Sequence, residues 1–235
     1  MVKRHLLRRS APRTWAVKRK ELNWITRPHP GAHKLENCMP INVLLKEILH
    51  HAKTSVEAKK ILEDGNVLVN KKVIKDLKTP VGFMDTLEIP KVKASYRMVF
   101  NTKGKLTLIN IPAEETGIKL SKILDIKTIK NKKIQLNLSD GTNLQYDKTE
   151  HKTGDTLVLA LPDRKVKSCI KLEKGAIVYL TGGHNIGSIG AVESIKDGTS
   201  KQKSMITIKG KNGTFETRKV YAFAIGKGKS SISLE

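Results

Sequence analysis

The chain has 235 residues, 38% of them hydrophobic, with 45 Lys and Arg against 22 Asp and Glu, a net charge of +23. That length suits one large or two to three small domains. The apolar fraction excludes a disordered chain, and no run approaches the ~18 apolar residues of a membrane span. A protein this basic should meet a polyanion, nucleic acid before an acidic membrane surface.

The first 40 residues form the expected basic N-terminal extension, with ten basic against two acidic residues. Six of the nine arginines stand there: Arg4, Arg8, Arg9, Arg13, Arg19 and Arg27. A guanidinium forks onto a phosphate or stacks on a base, whereas lysine is a strongly hydrated point charge. The leader, with Lys18 and Lys20, is therefore the region expected to make intimate contact. Trp15 and Trp24 lie in it too. Stacking on unpaired bases and pinning the leader to the protein's own core both account for them. The Arg-rich start has the look of an organelle transit peptide, against which stand its few hydroxyl side chains and Pro12. Pro28 and Pro30 make residues 27–33, through His33, an extended connector.

Residues 41–105 read as a second domain. Leu44, Leu45, Ile48, Leu49 and Ala52 form one apolar helical stripe. Thr54 and Glu57 have capping-box spacing ahead of Ala58, Ile61 and Leu62, and Gly65 suits the stop. Asn66–Asn70 then reads as a strand, Lys71-Lys72 as a polar turn, and Asp85–Ile89 as another strand. Two short helices on a small hairpin, with basic residues outward, is the layout of the αL-type RNA-binding module. Lys46, Lys53, Lys59, Lys60, Lys71 and Lys72 would follow a bent phosphate path; simple solvation of those lysines is the plainer reading.

Beyond Tyr96 helix signals thin out, and only Glu114–Leu124 has the makings of a short helix. Tyr96–Asn101, Leu106–Ile111, Ile134–Leu138 and Thr156–Leu161 read as strands between Gly turns. Residues 106–170 are thus expected to be a β-rich central domain. Residues 171–235 follow as a small barrel, with strands Ala176–Leu180, Ile189–Ile195, Ser204–Ile208, Thr214–Thr217 and Tyr221–Ile225. The fold class is α+β, mostly β.

The glycine-dense stretch Gly175–Ile195 lacks the order of a dinucleotide fingerprint, and no Walker-type ending occurs. It resembles the KOW motif of SH3-like RNA-binding barrels, with Gly183, His184, Asn185 and Gly187 at the tip. A tight structural hairpin also explains the glycines. His29, His33 and Cys38 fall short of the four ligands of a structural zinc site, so no metal is expected, and no cofactor. Two cysteines, Cys38 and Cys169, make no disulfide framework and favour a reducing cytosolic compartment. No nucleophile elbow or metalloprotease helix appears.

Several motifs occur in one order along the whole chain. They are Ala11–Trp15 (A-P-R-T-W), Arg27–His33 (R-P-H-P-G-A-H), Pro80–Asp85 (P-V-G-F-M-D), Tyr96-Arg97, Gln135–Gly141, Gly154–Leu157, the Gly182–Gly190 loop and Phe215–Thr217 leading to Val220–Gly226. In this the chain resembles the S-four-e family of small-subunit ribosomal proteins of archaea and eukaryotes, in its compact archaeal form. Two departures stand out: that family usually has basic residues where His184 and Ser188 stand, and Asp-Gly where Asn70-Lys71 stand.

The resemblance implies a non-enzymatic, cytoplasmic protein of the ribosome. Its partners would be small-subunit ribosomal RNA and neighbouring ribosomal proteins, with no membrane, no small-molecule substrate and no homo-oligomer. Two rivals remain open: an RNA-modifying enzyme of the pseudouridine-synthase kind, in which αL-type modules also occur, and a KOW-type transcription factor.

Overall fold

Arginine side chains bonded to main-chain carbonyls fold the leader back on itself. In the computed structural model, residues 5–20, 22–129, 132–199, 202–210 and 213–234 are described. Arg4 of the expected contact set lies outside them. Arg19 donates through Nη1 to the carbonyls of Arg9 (3.1 Å) and Ala11 (2.9 Å) and through Nη2 to that of Pro12 (2.9 Å). Strands β1 (Leu6–Leu7) and β2 (Trp24–Ile25) pair antiparallel, Leu7 opposite Trp24.

The chain divides into two units, and the first holds residues 1–100 and 105–119. After β3 (Cys38–Pro40), the helical segment starts as α1 (Ile41–Val43) and widens into a π-turn over Leu44–Ile48. Leu49 N donates to Leu44 O at 2.9 Å, and His50 takes a left-handed φ of 55°, so the expected stripe ends one turn early. The second helix, α2 (Ser55–Glu63), follows its sequence signals. Thr54 Oγ1 accepts from Glu57 N (3.2 Å), Glu57 Oε2 accepts from Lys53 N (2.8 Å), and Gly65 at φ 71° closes the end. The Lys53 backbone bond, then the Thr54 hydroxyl, lower the Glu57 pKa.

Strands β4 (Leu68–Val69) and β5 (Lys72–Val73) meet through a two-residue turn. Asn70 (φ 51°) and Lys71 (φ 64°) are both left-handed, as a type I′ turn requires, so the turn falls one residue before Lys71-Lys72. Asn70 suits its position doubly, since its Oδ1 also accepts from Thr86 N at 3.1 Å. With β6 (Pro80–Gly82), β7 (Thr86–Ile89), β8 (Ala94–Phe100) and β9 (Leu106–Asn110), the unit builds a sheet in the order β5-β4-β7-β8-β9 and the pair β3-β6. Strand β9, expected to open the central domain, instead pairs along its length with β8. Trp15 bridges to Leu106 and is 0% exposed, so the leader is one edge of this unit's core.

The expected helix over Glu114–Leu124 is instead a 3-10 turn, Ala113–Gly117, running into strand β10 (Ile118–Thr128). The buried Arg97 guanidinium explains it. Its Nη2 binds the carbonyls of Glu115 and Ile118, both at 3.0 Å, and so takes from the segment the acceptors that a helix would use. Glu115 Oε2 pairs with its Nη1 at 3.2 Å; burial lowers the Arg97 pKa, and Glu115 opposes that.

The second unit, residues 101–104 and 120–235, holds two β assemblies. Strands β11 (Ile134–Leu138), β12 (Asn143–Tyr146), β13 (Thr156–Ala160) and β14 (Lys165–Ile170) join β10 in the order β12-β11-β10-β13-β14. Ile123, Leu136, Leu138, Leu157 and Leu159 form its core. The rest is an antiparallel sheet of β15 (Ala176–Leu180), β16 (Ile189–Lys196), β17 (Met205–Gly210), β18 (Gly213–Arg218), β19 (Ala222–Lys227) and β20 (Lys229–Ser230), in the order β18-β17-β16-β15-β19-β20, the chain crossing from β18 to β19 beside β15. Its core includes Val178, Leu180, Ile206, Ile208 and Ala224. Asp155 ties the two assemblies, accepting from Lys152 N (2.9 Å) and from Leu172 N (3.0 Å). The fold is α+β and mostly β.

Candidate nucleic-acid interface

The leader's cations divide into those that build the protein and those that face out. Arg8 belongs to the first group. It is buried, with Nη1 and Nη2 forked onto the two Glu47 carboxylate oxygens at 2.9 and 2.7 Å and Nη1 also on Lys18 O at 2.8 Å. A guanidinium so used cannot also meet a phosphate, and Arg8 leaves the expected contact set. Arg19 is half-buried and spent on carbonyls, and Arg27 is half-buried. Arg9, Arg13, Lys18 and Lys20 are exposed.

The tryptophans divide the same way. Trp15 donates Nε1 to Leu35 O at 3.3 Å and is sealed in the core, so it cannot stack on a base. Trp24 is 59% exposed beside Leu7 and Leu22, with the His5 ring 5.6 Å from its own. Sequence reasoning left both open between stacking on a base and packing on the core. Both sit among polar and basic neighbours, and only the β1-β2 pairing puts Trp24 on the outer face.

His33 also turns inward. Its Nε2 lies 3.1 Å from Asp85 Oδ2, with both side chains buried. Around the same carboxylate, Lys119 Nζ (2.6 Å) and Asn70 Nδ2 (2.8 Å) donate to Oδ1, and Gly82 N (2.7 Å) donates to Oδ2. Burial alone would raise the Asp85 pKa; the Lys119 ammonium, then His33, hold it well below the usual carboxylate range. Gly82 makes room for this arrangement, since a Cβ there would stand 2.1 Å from His33 Cδ2. The 27–33 and 80–85 motifs thus meet at one buried charge cluster. Burial, then the Asp85 charge, pushes the Cys38 thiol up to about 11, which leaves it unreactive.

On the αL-type module, Lys53, Lys59, Lys60 and Lys72 are exposed. Lys59 pairs with Glu63 at 3.5 Å, but both ends are solvated and such pairs contribute little, about 0–1 kcal/mol, so a phosphate can displace the glutamate. Lys46 is half-buried, its Nζ 3.4 Å from Ser55 Oγ. Lys71 is half-buried, its Nζ 2.7 Å from the largely buried Glu88 Oε2.

In the glycine-dense loop, packing explains most of the glycines. A Cβ at Gly182 would stand 2.6 Å from Tyr221 Cδ1, and one at Gly187 would stand 2.6 Å from the Asn101 carbonyl, within the second unit. Gly187 is therefore closed to a phosphate on that side. Gly183 takes φ 87°, and His184 beside it is exposed. Asn185 is half-buried, its carbonyl accepting from Ser188 N at 3.2 Å.

A helix pair and type I′ hairpin with lysines outward, carrying an ordered basic leader and followed by two β assemblies, defines a multi-module protein of the nucleic-acid-binding class. Comparison with known proteins narrows that class. Residues 39–87 match the S4 domain, residues 2–36 the RS4NT (NUC023) domain, and residues 92–166 the ribosomal family S4e. The small ribosomal subunit protein eS4 of Staphylothermus marinus is 38% identical over 241 residues, covering 99% of this chain and 96% of that protein. Its namesake from Methanocella arvoryzae is 40% identical over 228 residues, covering 97% and 96%. The crystal structure of the 30S ribosomal protein S4e from Thermoplasma acidophilum superposes with a TM-score of 0.72 at 30% identity, covering 83% of this chain and 98% of that one. The chain belongs to the ribosomal family S4e.

Proposed function

We propose that this protein is a structural constituent of the small ribosomal subunit, acts in the ribosome, and binds small-subunit ribosomal RNA beside neighbouring ribosomal proteins. The near full-length identity with proteins named small ribosomal subunit protein eS4 carries the reading. The surface supports it. The exposed cations Arg9, Arg13, Lys18 and Lys20 stand on an ordered leader, and Lys53, Lys59, Lys60 and Lys72 on the S4-type module. These groups meet phosphates, which fix register without reading sequence. Trp24 is the residue placed to stack on an unpaired base. Arg8, Trp15, His33 and Lys71 act one step back, holding the contact residues in place. The role is architectural, and no residue is given a catalytic part.

Affinity of the full chain for transcribed small-subunit rRNA, measured across a KCl series, tests this. Log K should fall with log salt by ~0.7–0.9 per phosphate neutralised, and the chain should co-sediment with small subunits at high salt. A flat salt response would refute the reading.

A further inference from the structure

A cleft of about 650 Å³ opens within the second unit, between the middle of β10 and the segments around β17 and β18. Its volume lies in the ~300–1,000 Å³ range of small-ligand sites. Its lining is unusual in two respects. Leu124 and Val220 both line it, and they are 57% and 72% exposed, large aliphatic groups that nothing in the described chain covers. Among the described residues, four cationic ones line it with them and no carboxylate does. Of the four, Lys219 pairs with Asp197 at 3.2 Å and Lys122 is turned inward, while Lys203 and Arg218 are exposed and have no acidic partner among the described residues.

One wall is fixed before any ligand arrives. Lys122 Nζ donates to the carbonyls of Val220 (2.8 Å) and Ala222 (2.6 Å), which ties the Val220 wall to β10. Burial, with Lys219 nearby, pulls the Lys122 pKa down to about 8, so at neutral pH it remains the ammonium that these bonds need. On the far side, Gly198 N donates to Ser204 Oγ at 3.0 Å. A fixed wall loses little free energy to ordering when the cleft is filled.

A ligand matching this lining needs a flat apolar body and an anionic group a few ångströms away. A nucleotide presents both, a flat base joined through its sugar to phosphates. We propose that the cleft captures a single unstacked nucleotide of RNA, its base between Leu124 and Val220 and its flanking phosphates on Lys203 and Arg218. This rests on the ribosomal RNA reading above, and adds a second binding element remote in sequence from the leader and the S4-type module.

The test uses the full chain, transcribed small-subunit rRNA as the probe, and two double variants. Leu124→Ala with Val220→Ala should weaken binding by about 3- to 10-fold through lost apolar contact and leave the salt slope and the thermal melt unchanged, since both residues are exposed. Lys203→Ala with Arg218→Ala should weaken it and lower the salt slope by up to two phosphates' worth. Crosslinking of wild type to the RNA should recover a nucleotide on the peptide bearing Lys203 or Val220. Wild-type, salt-dependent binding with both variants unchanged would overturn the cleft while leaving the ribosomal RNA reading intact. Unchanged affinity for naked RNA with lost retention on assembled subunits would assign the cleft to a protein segment, and overturn it too. A wild type that does not bind the RNA at all would instead refute the underlying reading.

Discussion

Asp85→Asn isolates the charge cluster that joins the leader to the S4-type module. In the native protein every bond to Asp85 enters an oxygen: Lys119 and Asn70 at Oδ1, Gly82 N at Oδ2, with His33 3.1 Å from Oδ2. An amide offers one oxygen and one NH2. Turned either way, it sets a donor against a donor, and it takes the Asp85 carboxylate charge from the Lys119 ammonium, which is 4% exposed. Breaking one side of a buried pair costs about 3–5 kcal/mol, a large share of the ~5–15 kcal/mol that stabilises a typical protein. At ~2–4 °C per kcal/mol for a chain of this size, Tm should fall by about 6–20 °C. The pH dependence has a definite sign. The folded pKa of Asp85 is depressed below the unfolded value of ~3.9, so its contribution is present above about pH 4 and is lost as acid protonates it. The wild type should lose stability below about pH 4 more steeply than the Asn variant. Thermal and urea melts followed by circular dichroism decide it. An Asn variant within about 1 kcal/mol of wild type, with the same acid limb, would refute the argument.

Three further outcomes follow from the division of labour in the leader. Arg8→Ala should cost about 1.5–3 kcal/mol of stability, because it strips Glu47 of a forked partner, whereas Arg13→Ala should leave the melt unchanged and lower the RNA salt slope by about one phosphate. Equal effects of the two on the melt would contradict the assignment. Trp15→Ala should cost ~3–5 kcal/mol, while Trp24→Ala should leave stability within about 0.5 kcal/mol and weaken RNA binding, as paired melts and filter binding can check. Gly82→Ala should cost about 1–3 kcal/mol by driving a Cβ into the His33 ring; NMR of the His33 imidazole should show it displaced from Asp85, and an unmoved ring would disprove the contact.

Local signals made the S4-type module legible. Thr54, Glu57 and Gly65 delimit α2 through contacts three or four residues long, and the barrel strands alternate as isolated strands should. What failed was long-range. Residues 114–124 keep a helix-like pattern until Arg97, far away in sequence, captures two of their carbonyls. Strand β10 then buries Lys119 and Lys122, residues that any hydropathy pattern places outside, because Asp85 and the Val220 and Ala222 carbonyls receive them. The contact set shares this history. Arg8 and Arg9 are adjacent and look alike in sequence, yet a glutamate 39 residues on takes one and leaves the other to solvent.

The buried link between His33 and Asp85 has a thermodynamic consequence. A flexible arm must be ordered as it binds, at about 1–2 kcal/mol per residue fixed, and that ordering appears as a large negative heat capacity of association. Here the leader is ordered before the partner arrives, by Trp15 in the core and His33 at the carboxylate. The entropic cost has already been met in folding. The protein should therefore dock as a rigid strip of charge, with a heat capacity change set by its contact area, and titrate like a pre-organised surface rather than like a tail that folds on its target.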